Sequence, residues 1–417
     1  MYKYGIIMKR LLLYLIVGLI LNINAAASFS QDRKLNDSVN DGPYIFNVKN
    51  KLIVKSIKNN LLVEEYITTG NFNEIKTRFN LQCTFKDLSV NHLKKLSFSQ
   101  SFNGVDSIGV ISDVHGNYRT YINLLKVSGI VDNDLNWKFG KGHLVVLGDI
   151  FDRGDMVTEI LWHLYGLEKQ AAEAGGMVHV MLGNHEVMVL DGNLTYMNQK
   201  YNQVEKISGI KYSDLYAGNS VLGNWLRSKP VMITINDIIF VHAGISPELV
   251  QRKLTALRIN QQFSYKIVGK DLKEKVVSNE QMLVAQNDDP MKKKTNMADT
   301  SINHNAPGNS ILTANELAEN IEYDELMFLA QNDGPVWYRG FFTNSDFNES
   351  TIDTILEFFN KNHIVVGHTT FKDINSRFNN KIIGVDAGIG SGQPGEMLIY
   401  KNGSFYRCYI TGARNKF

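Results

Sequence analysis

Five short polar stretches, each directly behind an apolar run, constrain this chain more than any other feature. They are Asp113-Val114-His115-Gly116-Asn117, Gly148-Asp149-Ile150-Phe151-Asp152-Arg153-Gly154, Gly183-Asn184-His185-Glu186, Val241-His242-Ala243-Gly244 and Gly367-His368. The runs before them, Ser107 to Ile111, His143 to Leu147, Val178 to Leu182, Ile238 to Val241 and His363 to Val366, read as buried strands. Loops at strand ends are where sheet scaffolds hold their chemistry, so the pattern predicts one site assembled from five loops.

The chain has 417 residues, 44% of them hydrophobic, which is enough for one large core or two ordinary ones. Lys3, Lys9 and Arg10 precede an apolar run from Leu11 to Leu21 that leads into Ala25, Ala26 and Ala27, the layout of a secretory signal peptide over residues 1–27. The run is shorter than the roughly 20 apolar residues a bilayer span requires, so export to the periplasm or beyond is expected, without a stable membrane span. Cleavage near Ala27 removes three cations and no acid, taking the formal net charge from +2 to −1. A near-neutral chain lacks the cationic surplus of a nucleic-acid binder, but small or peptide-borne phosphates stay open as substrates. With only Cys83 and Cys408, the fold cannot rest on a disulfide framework; two separate buried thiols and one long-range bridge are both open.

After the leader, Tyr44 to Val48, Leu52 to Ile57 and Leu61 to Ile67 read as strands of a small N-terminal β unit within residues 28–105, with a turn at Asn59-Asn60. From Asp106 to the C-terminus strands alternate with helical patterns such as Arg119 to Val127 and Val157 to Ala174, which predicts an α/β architecture. Val231 to Ile235 and Ile238 to Val241 look antiparallel, and Asn402-Gly403 is a strong hairpin signal, so the sheets are mixed. Residues 191–225 and 247–333 interrupt the rhythm as insertions that cap or border the site; the second carries Lys292, Lys293 and Lys294, read as a solvated loop.

Carboxylate and amide oxygens hold hard divalent ions, and manganese, iron and zinc also accept imidazole. Asp113 and His115 can grip one metal, Asp149 has two oxygens with which to bridge a pair, and Asn184, His242 and His368 complete the second. Water held between two cations loses a proton far more easily than bulk water at ~15.7. Arg153 suits a phosphate as a planar fork of donors, and Arg339 is either a second fork or a structural salt-bridge partner. His185 can face the leaving oxygen while Asp152 holds its ring, which makes a general acid. Asn117, Asp155 and Glu186 read as loop-shaping residues, His143, His163, His179 and His363 as packing or surface histidines, and Trp137, Trp162 and Trp225 as core.

At these residues the chain resembles the calcineurin-like metallophosphoesterases, and more narrowly the phosphoprotein phosphatase superfamily. That superfamily's blocks run Gly-Asp-x-His-Gly, Gly-Asp-x-x-Asp-Arg-Gly, Gly-Asn-His-Glu and His-Gly-Gly. The second and third match in full, while Ser112 and Ala243 replace glycines and the last histidine comes as Gly367-His368-Thr369. With Val336-Trp337-Tyr338-Arg339-Gly340, the set is most similar to the Shewanella-like protein phosphatases. The resemblance implies a sandwich of two mixed β-sheets flanked by helices and two divalent ions, manganese, iron or zinc. Asp113, His115 and Asp149 would hold one ion and Asp149, Asn184, His242 and His368 the other. It also implies Arg153, Asn184 and Arg339 on the phosphate, the Asp152-His185 pair at the leaving group, and in-line attack by metal-held hydroxide. The expected activity is phosphomonoester hydrolysis on phosphoserine, phosphothreonine or phosphotyrosine in a protein, peptide or small ester. A nucleotide or dinucleoside polyphosphate hydrolase is the alternative, and a non-catalytic metal-dependent binding protein a third.

Overall fold

The apolar runs ahead of the ligand loops become the inner strands of two sheets. This computed structural model describes residues 38–95, 97–98, 100–268 and 314–417; the expected leader over residues 1–27 and the Lys292 to Lys294 run lie outside them. Strands β1 (Asp41–Val48), β2 (Lys51–Lys58) and β3 (Leu61–Ile67) form an antiparallel N-terminal sheet. Both of its turns, Lys49-Asn50 and Asn59-Asn60, have positive φ at both residues, the backbone that a two-residue hairpin needs. The helix α1 (Phe72–Arg78) follows.

The remaining strands are β4 (Ser101–Phe102), β5 (Ser107–Ile111), β6 (His143–Val146), β7 (Met177–Val180), β8 (Met232–Ile235), β9 (Ile238–Val241), β10 (His363–Val366), β11 (Asn375–Arg377), β12 (Ile382–Gly384), β13 (Glu396–Lys401), β14 (Ser404–Tyr409) and β15 (Arg414–Lys416). They make two six-stranded mixed sheets, ordered β11-β12-β10-β9-β8-β4 and β15-β14-β13-β5-β6-β7. Strands β5, β6 and β7 run parallel, as do β9 and β10, so each sheet sends its ligand loops out at the carboxyl ends. The hairpins β8–β9 and β13–β14 turn at Asn236 and at Asn402-Gly403, all left-handed. β4 lies ahead of residue 106, where the sequence pattern begins the domain; a two-residue strand has no period to read.

Alternation along the strands explains why the runs are apolar throughout. Ile108, Val110, Val145, Ile233, Phe240, Val365 and Leu398 face the core between the sheets, while Ile111, Leu144 and Val146 face outward to α2 (Tyr118–Val127) and α3 (Val157–Glu173). Strands covered on both sides need no polar face. Tyr44, Ile45, Val54 and Ile57 of the N-terminal sheet bury into the same outer cluster as α2 and α3. The 191–225 insertion follows α4 (Asn184–Leu190) and folds into α5 (Gln199–Ser208), α6 (Tyr212–Leu215) and α7 (Val221–Leu226), anchored by the buried rings of Tyr201, Tyr212, Tyr216 and Trp225. Cys83 and Cys408 are separate buried thiols. Among the described residues no helix is long and apolar enough to cross a membrane.

Candidate active site

The loops that leave β5 and β6 are zipped together by their own backbones. His115 N donates to Asp149 O at 2.9 Å, Gly116 N to Ile150 O at 2.9 Å and Gly154 N to His115 O at 2.9 Å. Asp113, His115, Asp149, Asp152, Arg153 and His368 all stand at positive φ, between 42° and 70°. Such backbone disfavours a β-carbon by about 1–3 kcal/mol per residue and persists where surrounding bonds over-determine it. Close approach adds to the constraint: a β-carbon on Gly183 would collide with Asp149 Oδ1, and one on Gly367 with Ser112 Oγ.

Glu186 holds two of the loops in register. Its buried carboxylate accepts from the N–H groups of Asp149 and Gly183 through Oε2 and of Ile150 and Phe151 through Oε1, at 2.7 to 3.3 Å. Glu186→Ala therefore leaves these donors unpaired in the interior. Each such donor costs about 1–3 kcal/mol, so unfolding should be easier by ~3 kcal/mol or more. A urea midpoint equal to that of the unchanged protein would refute this role.

The predicted ligands converge on Asp149. His242 Nε2 lies 3.3 Å from Asp149 Oδ1, 3.0 Å from Asn184 Oδ1 and 3.2 Å from His368 Nδ1. On the other carboxylate oxygen, His115 Nε2 and His185 Nε2 stand at 3.7 Å and 3.8 Å. Two groups of metal-competent atoms result, one from His115, Asp149 and His185, the other from Asp149, His242 and His368, with Asp149 common to both. Asp113 lies in neither; its Oδ2 accepts from Ser112 Oγ and from His368 N at 2.9 Å, which ties the β5 loop to the β10 loop.

The outward ring nitrogens of three histidines bond to backbone carbonyls: His115 Nδ1 to Phe151 O at 2.7 Å, His242 Nδ1 to Leu147 O at 2.7 Å and His368 Nε2 to Trp337 O at 3.1 Å. These bonds assign each proton to the outer nitrogen, so the inner ones present lone pairs. With both imidazoles neutral, His242 Nε2, His368 Nδ1, Asn184 Oδ1 and Asp149 Oδ1 form a knot of acceptors with no donor between them. That arrangement fits a divalent cation. With no cation bound, the positive charge this pocket favours falls on His242: burial disfavours it there, yet Asp149, by its charge and its contact, pushes the imidazole up to about 9, so a metal would take the place of that proton. His368 is driven down to about 2 by burial and by His242. Burial raises the Asp149 carboxyl, but His242, His185 and His115 overcome this and hold it well below the usual range.

His185 Nδ1 is 2.5 Å from Asp152 Oδ2, with both side chains buried. The ring is thereby fixed, with Nε2 turned toward Asp149. It faces the same space as His115, closer to the ligand atoms than a group pointing away from the metals would be. Arg153 and Arg339 are exposed at the rim. Arg339 Nη1 donates to His368 O at 2.6 Å, and Arg153 borders a cavity of about 360 Å³ with His115, Asn117 and Arg119.

Three site features were given no role in the sequence reading. Ser112 supports Asp113, as above. Asp386, buried, accepts from Thr370 Oγ at 2.6 Å and Gly388 N at 3.0 Å, and after burial it is the largest influence raising the Asp113 carboxyl. Its signal was present, since it closely follows the apolar β12 as Asp113 follows β5. Tyr196 lays its ring against His185, with centroids 5.2 Å apart.

Two mixed sheets packed face to face, with carboxylate and imidazole ligands at their strand ends, define a metallophosphoesterase. The chain belongs to the calcineurin-like phosphoesterase family, whose profile matches residues 107–371. A solved structure titled as a cold-active protein-tyrosine phosphatase of a psychrophilic Shewanella is 34% identical, with a TM-score of 0.71, over 90% of this chain and 99% of that one. Shewanella-like protein phosphatase 2 of Arabidopsis thaliana is 30% identical over 127 residues, 30% of each chain. A symmetrical bis(5'-nucleosyl)-tetraphosphatase of Buchnera aphidicola is 32% identical over 147 residues, 34% of this chain and 46% of that one. This chain thus spans less than half the length of these two curated relatives.

Proposed function

We propose that this chain is a metal-dependent protein phosphatase, with phosphotyrosine as its preferred residue. The supporting observation is likeness over nearly whole chains to the Shewanella protein-tyrosine phosphatase, whereas the tetraphosphatase likeness is confined to about a third of this chain. Asp113, His115 and Asp149 would hold one divalent ion and Asp149, Asn184, His242 and His368 another, be they manganese, iron or zinc, supplying charge to phosphoryl oxygens and acidity to water. Arg153, Arg339 and Asn184 bind the phosphate. Asp152 fixes the His185 ring so that Nε2 delivers a proton to the departing oxygen.

A substrate panel on the metal-loaded chain tests this reading, with the three phosphoamino acids in one peptide set beside a dinucleoside tetraphosphate. Peptide turnover should exceed nucleotide turnover, and phosphotyrosine should lead. The opposite order would establish the second reading, a dinucleoside polyphosphate hydrolase, which the tetraphosphatase likeness favours. Export is part of the proposal: N-terminal sequencing of the protein from its native cell should begin near Ser28, and a retained Lys3 would exclude it.

A further inference from the structure

The loop between α4 and α5 is fastened to the turn that carries Asp152 and Arg153. Tyr196 O accepts from Arg153 N at 3.1 Å, and Asn198 Nδ2 donates to Arg153 O at 2.7 Å. Asn198 Oδ1 also accepts from Lys200 N, which caps α5 and fixes the loop from its far side. The Tyr196 backbone is thus held by the same segment that orients His185 through Asp152.

Tyr196 is 54% exposed, and its ring is tilted 55° to the imidazole of His185. Its hydroxyl makes no hydrogen bond to any described residue. Tyr201 and Tyr212, in the same insertion, are by contrast fully buried. Exposed single aromatics are ordinary on a protein surface and need no function. This one differs in being anchored at two points and in touching the proposed proton donor. Among the described residues, the rings in contact with His185 are those of His115 and Tyr196, and His115 is buried in the ligand cluster. On the phosphatase reading, Tyr196 is thus the exposed ring beside which a group leaving toward His185 would pass.

We propose that Tyr196 is a specificity-determining residue that packs against an aromatic leaving group and so favours aryl over alkyl phosphate esters. The inference rests on the phosphatase reading above and adds to it the side chain that sets the preference. An aromatic pair gains energy from offset or edge-to-face packing of two π faces, which the serine side chain cannot offer.

The test uses the manganese-loaded full chain, its Tyr196→Ala and Tyr196→Phe variants, and two substrate pairs: phenyl phosphate against glycerol phosphate, and a phosphotyrosine peptide against the same peptide with phosphoserine. An aromatic contact of ordinary strength corresponds to a roughly 3- to 10-fold loss of kcat/KM on both aryl substrates in Tyr196→Ala, with the alkyl substrates within about 2-fold. Tyr196→Phe should restore the aryl preference. Equal losses on aryl and alkyl esters would reduce Tyr196 to a support for the loop, and an unchanged aryl rate would remove it altogether; either result overturns the proposal. If the unchanged protein hydrolyses phenyl phosphate but neither peptide, the protein-phosphatase reading fails, and the small-ester pair still decides the role of Tyr196.

Discussion

Asp149→Asn should leave a folded protein without measurable phosphoester turnover and with depleted metal. The carboxylate is the one group shared by both ligand clusters, with His242 Nε2 at 3.3 Å from Oδ1 and His115 Nε2 at 3.7 Å from Oδ2. An amide has the same shape but one fewer negative charge, and its NH2 must point at one cluster or the other. In either orientation a donor replaces an acceptor where lone pairs converge. Changes to groups that only orient metal ligands cost roughly 10–100-fold in metal affinity or activity, so loss of a shared ligand should exceed ~100-fold. The fold should survive, because Asp149 is tied to its neighbours by its backbone: its N–H donates to Glu186 and its carbonyl accepts from His115. Elemental analysis and phenyl phosphate hydrolysis on the purified variant check both halves, and near-normal turnover would refute the bridging role.

His185→Asn should slow esters of poor leaving groups most. Phenolate leaves readily because its conjugate acid has a pKa of about 10, whereas an alkoxide needs its proton during bond cleavage. General acid catalysis contributes roughly 10²- to 10⁴-fold, so kcat on glycerol phosphate should fall by that amount and kcat on phenyl phosphate by clearly less. The comparison separates two roles that the geometry brings close together. His185 is held by Asp152 at 2.5 Å as a proton donor would be, yet its Nε2 also stands with His115 and Asp149 among the metal-competent atoms. Equal losses on both esters, accompanied by reduced metal content, would make it a ligand instead.

The strands and the ligand loops were legible because they are local. A run such as His143 to Val146 is too short for a helix and has no polar face, so it reads as a strand buried on both sides with polar residues at its end. The turns at Asn59-Asn60 and Asn402-Gly403 were legible for the same reason, since those residue types tolerate positive φ. Contacts that close over long sequence distances were not legible. Glu186 was readable as loop-shaping, but not as the acceptor for four backbone donors on two loops. Ser112 reads as a mere substitution for glycine until His368 N arrives at the same Asp113 oxygen. Tyr196 lies in an insertion whose short helices carry no long period, and only the fold brings its ring to His185.

The left-handed backbone beneath Asp113, His115, Asp149, Asp152, Arg153 and His368 sets durability against usefulness at each of these places. Glycine would sit there more comfortably than the residue the chemistry needs, by about 1–2 kcal/mol wherever the lost side chain is not itself a bonding partner. Five of the six side chains are bonding partners, so in a lineage relieved of the reaction and selected only for a long-lived fold the free drift toward glycine falls on Arg153, whose bonds described above run through its backbone. A glycine in place of Arg153 is therefore the first mark by which a retired descendant would be recognised, even where both sheets and every helix were kept.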